Sequence, residues 1–153
     1  MNFNDYLTRQ MNEDRRAFII HFPAMRGKTK FARRVREVRQ DVYLLDMQEY
    51  FSTHDDLPSI RQLNSDALWD FLLRLNVPEP VILVDNPDFL LNTWKPAEKE
   101  NFLHKIKVAL RSPADTAKTF VFMIQTDNIL SDAQIVNSYG DSRVLPLDAF
   151  NAL

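Results

Sequence analysis

The chain has 153 residues, a formal net charge of −2 and no cysteine. This length predicts a single domain over residues 1–153, and 45% hydrophobic with 26% charged residues is typical of a soluble globular protein. The lack of cysteine excludes disulfides and thiolate metal sites, and no apolar run or leader has the length or pattern of a membrane span or signal. We therefore expect a cytoplasmic protein that makes no contact with a membrane.

Apolar runs alternate with segments of helical periodicity along the chain. The predicted elements, in chain order, are helix 3–16, strand 17–22, helix 28–40, strand 42–47, helix 59–75, strand 81–85, helix 96–111, strand 119–126, helix 128–138 and strand 143–147. Residues 48–58 are predicted to be irregular, and helix 59–75 to begin at a capping box of Ser59 and Gln62. Strands that alternate with helices predict an α/β domain whose parallel sheet is covered on both faces.

The segment FIIHFPAMRGKT, residues 18–29, carries the strongest functional signal. An apolar strand leads into a loop that ends in Gly-Lys-Thr, and a helix follows at once. Loop N–H groups and the positive end of a helix form an anion cradle, in which Lys28 would reach the β- and γ-phosphates and Thr29 would hold Mg²⁺. The predicted phosphate-binding residues of the loop are Pro23, Ala24, Met25, Arg26, Gly27, Lys28 and Thr29. Phe22 stands where the pattern G-x-x-x-x-G-K-[ST] has its first glycine.

A second signal is Asp85, which ends the strand predicted at 81–85. Ligands in open α/β sheets bind at the carboxyl ends of the strands, where the loop after residue 22 also lies. A carboxylate in this place can hold Mg²⁺ through its water shell. The alternatives are a capping Asp85 and a chance Gly-Lys-Thr in an ordinary strand–turn–helix, but the two features in register favour a nucleotide-phosphate site.

With these motifs the whole chain resembles the core of the additional-strand P-loop ATPases, the group that contains the AAA+ and STAND proteins. FPAMRGKT is similar to their Walker A and VILVDNPDFL to their Walker B, while MIQTD resembles their sensor strand, whose Gln125 would lie beside the γ-phosphate. The resemblance implies a three-layer sandwich with a five-stranded parallel sheet in the order 5-1-4-3-2, and ATP or ADP with Mg²⁺ as ligands. In length and overall organisation the chain also resembles BrxF, the family of small P-loop proteins of type 3 BREX anti-phage systems.

Departures from the family pattern concern catalysis. AAA+ ATPases place a Glu directly after the Walker B Asp as the base that polarises water, but this chain has Asn86, which cannot accept a proton at neutral pH. STAND proteins carry an acid further on, so the resemblance makes Asp88 the candidate base, with a solvated turn residue as the alternative. Arg143 stands where the family places an arginine finger that crosses a subunit interface, with an exposed edge-strand residue as the alternative. The C-terminal helical lid of the family is not expected, because little sequence follows residue 147.

Basic residues are concentrated at positions 15–39, where nine Lys or Arg stand against one acid. Three apolar residues of the predicted helix recur at helical spacing and should face the core: Phe31, Val35 and Val38. Residues 30–39 would then present a basic face that could bind DNA or an acidic partner, although such a face is more often simply solvated.

Three functional hypotheses follow. The first is a nucleotide-binding core that hydrolyses ATP weakly, or only when assembled with itself or with a larger ATPase of the same defence system. The second is an inactive P-loop scaffold, and the third is a DNA-associated module. The intact Gly-Lys-Thr and Asp85 favour the first over the second because phosphate and metal ligands are both retained, while Phe22 and Asn86 favour weak turnover.

Overall fold

A computed structural model describes residues 1–24, 27–112 and 114–151. Five parallel strands form one sheet in the order β2-β3-β4-β1-β5, and helices cover both of its faces. The strands are β1 Phe18–Phe22, β2 Val42–Asp46, β3 Val81–Asp85, β4 Thr119–Gln125 and β5 Val144–Pro146. The helices are α1 Phe3–Gln10, α2 Lys28–Val38, α3 Met47–Thr53, α4 Ser65–Leu73, α5 Asp88–Leu91 and α6 Pro96–His104, with a π-helical turn at Lys105–Ala109 and 3₁₀ turns at Ile60–Gln62 and Leu147–Ala149. The predicted α/β class and strand order 5-1-4-3-2 are confirmed.

The sheet separates two apolar cores. Strand β3 is buried at every position because both of its faces are covered, as its unbroken apolar run predicts. On one face Trp69 stacks on Phe102 at 5.4 Å between ring centroids and meets Phe122 edge-on at 5.3 Å. On the other face Phe3 of α1 meets Phe31 of α2 edge-on at 5.1 Å. This packing holds the carboxyl ends of the strands in place. None of the helices in the described ranges is long and apolar enough to cross a membrane.

The predicted opening helix 3–16 is too long. Helix α1 ends at Gln10, and the N–H groups of Asn12 and Glu13 then bond to carbonyls three residues back, so the chain leaves the helix through a tight turn. The fully buried side chain of Gln10 accepts a hydrogen bond from Asn137 Nδ2 at 2.6 Å. This polar contact fixes the end of α1 against a distant loop.

Two other predictions of local structure are wrong. Residues 48–58 were expected to be irregular, but they contain most of α3, because Asp46 caps the helix by accepting two of its first N–H groups. The helix expected at 128–138 does not form. Instead, Asp127 Oδ1 accepts two successive N–H groups in a turn, and the chain continues irregularly.

The helix predicted at 59–75 begins later, at residue 65. Its cap is Asn64, whose side chain accepts an N–H of the first turn at 2.9 Å, whereas Ser59 makes no capping bond. In α2, Val35 is buried as predicted, but Val38 is 53% exposed because it lies at the last turn, beyond the edge of the sheet.

Candidate functional site

Lys28 follows the loop after β1 and lies at the carboxyl ends of the strands. Helix α2 begins at Lys28 itself, and Gly27 before it has a left-handed backbone with φ of 78°, which favours glycine. Pro23 and Ala24 are exposed at the mouth of the loop, and so is Thr29 on the first turn of α2. The predicted phosphate ligands Met25 and Arg26 lie outside the described residues.

Phe22 has a definite place in this site. Its side chain is 2% exposed, and Lys28 Nζ lies 5.0 Å from the centroid of its ring. A cation over an aromatic face is attracted by the electron-rich ring. The residue that breaks the glycine pattern therefore holds the lysine that the pattern requires, a role that the sequence motif does not signal.

The ammonium group of Lys28 is surrounded by polar groups that follow β3. Lys28 Nζ donates a hydrogen bond to Asn86 Oδ1 and lies 3.4 Å from Asp85 Oδ1 and 3.7 Å from Asp88 Oδ2. The side chains of Lys28, Asp85 and Asp88 are only 12%, 6% and 15% exposed. The structure thus brings together three residues that the sequence assigned to one site, and it adds Asn86 to them.

Burial raises the pKa of the Asp85 carboxyl. The Lys28 ammonium, 3.4 Å away, opposes this shift without cancelling it. Because the folded state holds this proton more readily than the unfolded chain, the carboxyl contributes less stability as the pH rises above its ordinary pKa. The ionised Asp85 is therefore a cost to the fold at neutral pH, which is common for groups kept for function.

We expect Asp85→Asn to have a free energy of unfolding at pH 7 that equals or exceeds that of the wild type. The advantage over the wild type should shrink as the pH falls toward the ordinary carboxyl range, because the wild-type group then becomes neutral as well. Urea denaturation at pH 7 and at pH 5 measures both values, with the exposed Asp55→Asn as the matched control. A loss of stability in Asp85→Asn at pH 7 would contradict this electrostatic account.

Asn86 links the lysine to a second strand. Its backbone φ of 54° lies in the left-handed region, which Asn tolerates better than most residues. Its N–H donates to Asp85 Oδ1 at 2.9 Å, and its Nδ2 donates to Asp46 Oδ1 at 3.2 Å. Asp46 ends β2 in register with Asp85 at the end of β3. Sequence reasoning missed Asp46, although an acid at the end of a predicted strand is the same signal that identified Asp85.

Asp88 and Gln125 are joined at the end of β4. Asp88 Oδ1 accepts the backbone N–H of Gln125 at 2.8 Å, while Asp88 Oδ2 is buried with no hydrogen-bond partner in the described part of the chain. The side chain of Gln125 is exposed at this edge, next to the end of β1, with which β4 is paired. Asp88 therefore balances the charge of Lys28 and ties the start of α5 to β4.

The expectation for Arg143 is corrected. Its side chain is 3% exposed and donates to the carbonyl of Ala17 at 2.8 and 3.1 Å and to the carbonyl of Ile106 at 2.6 Å. Burial lowers the pKa of Arg143 to about 10. The residue precedes β5 at the amino end of the sheet, where Ala17 precedes β1, so it faces away from Lys28. A guanidinium held by two carbonyls of its own chain is not offered to a neighbouring subunit.

A cavity of about 360 Å³ opens beside this cluster, between α2, β2 and α3. Its wall includes four oxygen-bearing side chains near the end of the sheet: Thr29, Asp46, Glu49 and Asp85. No group of three or more metal-ligating side chains within the described ranges is arranged to hold a metal by itself. Magnesium sites commonly use one or two protein oxygens and complete the shell with water and phosphate, so Thr29 and Asp85 fit Mg²⁺ that binds together with a phosphate ligand.

In comparisons with known proteins, no family model, no curated protein and no solved structure matches this chain. What the chain can bind is therefore inferred from the Lys28 cluster, which consists of Lys28, Asp85, Asn86 and Asp88, and from the topology that assembles it.

Proposed function

We propose that this chain is an ATP- or ADP-binding P-loop core of the AAA+/STAND kind, with weak or partner-dependent ATPase activity. The observation that carries the proposal is the position of Lys28 Nζ, 3.4 Å from Asp85 Oδ1. The lysine starts a helix after the first strand, and the carboxylate ends a strand two places away in the sheet. A phosphate-binding lysine beside a metal-binding carboxylate is the arrangement that P-loop nucleotide sites use.

Each side chain then has a definite task. Lys28 leaves its acidic neighbours to bind the phosphates, and the N–H groups at the start of α2 add positive potential for the same anion. Thr29 and Asp85 would hold Mg²⁺. When bound, the metal ion would neutralise charge on the phosphate oxygens. Gln125, exposed at the end of β4, would contact the terminal phosphate.

The same contacts account for weak turnover. In the free protein Lys28 is already paired with Asp85, Asn86 and Asp88, so nucleotide has to compete with three groups of the chain itself. The residue after Asp85 is an amide and cannot serve as a base. Because Arg143 is buried, it cannot supply the cation that stabilises the transferring phosphoryl group.

The partners we propose are a second copy of this chain or a larger ATPase, as in the phage-defence systems whose small P-loop proteins the sequence resembles. A DNA contact is a further candidate, since four basic residues of α2 are exposed: Lys30, Arg33, Arg34 and Arg36. Arg39, by contrast, is paired with Asp41 at 2.8 Å and adds less to this face. The alternative is an inactive scaffold that binds no nucleotide. An absence of nucleotide binding in the following experiment would favour this alternative.

The proposal predicts that nucleotide binding depends on Mg²⁺ through Asp85. Wild-type protein should bind ATP about tenfold or more tightly with Mg²⁺ than with a chelator present, because Asp85 would hold the metal ion that offsets the charge of the phosphates. Asp85→Asn should bind with the same affinity in both conditions, close to the wild-type value without metal. Calorimetric titration gives the four constants, and Asp55→Asn serves as the control with an exposed carboxylate. A metal effect that survives in Asp85→Asn would rule out this assignment.

A further inference from the structure

The amide of Asn86 is held at both ends. Its oxygen accepts a hydrogen bond from Lys28, and its nitrogen donates to Asp46 Oδ1 at 3.2 Å. The left-handed backbone of Asn86 aims this short side chain across the ends of β2 and β3. An amide supplies both the acceptor that the lysine needs and the donor that the carboxylate needs. The side chain that cannot act as a base is therefore hydrogen-bonded to one that can.

Asp46 is fixed in place but remains accessible. Its Oδ1 accepts the N–H groups of Gln48 and Glu49 at 3.1 and 3.2 Å, in addition to the bond from Asn86. No hydrogen bond to its second oxygen, Oδ2, is present in the described part of the chain. The side chain is partly exposed and shares the wall of the 360 Å³ cavity with Thr29 and Asp85. Water in that cavity can reach this carboxylate next to the residues that would hold the metal.

Asp88 lacks this access. One of its oxygens is used by the N–H of Gln125, and the other is buried and faces Lys28 at 3.7 Å. Asp88 is also not among the residues that line the cavity beside Thr29. Its position suits charge balance for the lysine better than proton transfer from a water molecule.

We propose that Asp46 is the catalytic base of the ATPase reaction, an inference that rests on the function proposed above. Asp46 orients a water molecule whose oxygen bonds to the γ-phosphorus as the bond to the β–γ bridging oxygen breaks. The electron pair of that bond leaves with ADP, and a proton of the water passes to Asp46 and then to solvent. Asn86 holds the carboxylate in place, so the base is supplied by the neighbouring strand.

The test compares Asp46→Asn with Glu49→Gln. Asn caps helices as well as Asp, so Asp46→Asn should keep α3 folded, and Glu49→Gln removes a negative charge from the same cavity without touching Asn86. Loss of a general base lowers rates by about 10²–10⁴-fold. We expect kcat of Asp46→Asn to fall at least about 100-fold, with affinity for Mg-ATP unchanged within about threefold. Glu49→Gln should keep kcat within about fivefold of the wild type.

A charge exchange and a spectroscopic readout complete the experiment. The double variant Asp46→Asn/Asn86→Asp moves the carboxylate to the other end of the same hydrogen bond and should recover at least about tenfold of the lost kcat. In the nucleotide-free protein, the side-chain amide resonances of Asn86 should shift in Asp46→Asn and stay unchanged in Glu49→Gln. Unchanged resonances in both variants would contradict the contact itself.

The outcomes separate this inference from the proposed function. Wild-type turnover in Asp46→Asn, or an equal loss in Glu49→Gln, overturns the role of Asp46 and leaves the nucleotide site intact. Wild-type protein that binds Mg-ATP without any turnover overturns the base but keeps the binding function. Wild-type protein that does not bind Mg-ATP overturns both.

Discussion

Replacing Lys28 by alanine is expected to weaken binding of Mg-ATP about 100-fold, which corresponds to about 2.7 kcal/mol. Among the described residues, the Lys28 side chain is the one cation paired with both Asp85 and Asp88, and Lys28 starts the helix α2 after the loop. Charge-assisted hydrogen bonds to phosphate are among the strongest that proteins make, so most of the phosphate affinity should be lost with this group. Calorimetric titration of Lys28→Ala against wild type measures the change.

Stability provides the control for this variant. Removing Lys28 leaves the buried carboxylate of Asp85 without its counter-charge, which should cost about 3 kcal/mol of unfolding free energy. The double variant Lys28→Ala/Asp85→Asn removes both charges and should recover most of that loss while still failing to bind. Lys30→Ala changes an exposed residue of α2, two positions after Lys28, and should leave affinity and stability near wild type. Tight binding by either Lys28 variant would exclude this lysine as the phosphate ligand.

Replacing Arg143 by methionine is expected to lower the free energy of unfolding by about 3 kcal/mol. The change removes the donors of the buried carbonyls of Ala17 and Ile106, and each carbonyl left unpaired costs about 1–3 kcal/mol. Through these two carbonyls the Arg143 guanidinium joins the start of β1 to the π-helical turn after α6. Loss of its hydrogen bonds should therefore destabilise the sheet as a whole. Chemical denaturation followed by circular dichroism measures the effect.

The matched control is Arg34→Met, which makes the same substitution at an exposed position of α2 and should change stability by less than about 0.5 kcal/mol. Folded Arg143→Met should also keep the nucleotide affinity of the wild type, because the residue lies at the end of the sheet opposite Lys28. If Arg143→Met kept wild-type stability but lost the nucleotide turnover of the assembled protein, the arginine-finger role expected from the sequence would be restored.

The sheet could be predicted from sequence because its signals are local. Each strand is rich in apolar residues, and the strand at 81–85 is buried along its whole length, as expected for a strand covered on both faces. The strand order came from the family resemblance and not from the pattern. The short helix α3 was missed because the residue that caps it, Asp46, is also the last residue of the preceding strand.

The candidate site was predictable where the chemistry lies within one motif, as for Lys28 and Asp85. It was not predictable where it depends on contacts between distant segments. The carboxylate of Asp46 beside Asn86 follows from the register of β2 and β3, which no single motif encodes. A charged residue at the start of a strand is usually exposed, so the burial of Arg143 against two backbone carbonyls could be known only from the packed structure.

The central claim is that the Lys28 cluster recognises the phosphates of a nucleotide. The most direct measurement is calorimetric titration of wild-type protein with Mg-ATP, repeated in the presence of Mg-pyrophosphate or of adenosine. The account predicts one saturable site, for which pyrophosphate competes and adenosine alone does not, because the loop and Lys28 bind the phosphates. An absence of binding heat, or a site that adenosine blocks and pyrophosphate leaves untouched, would contradict it.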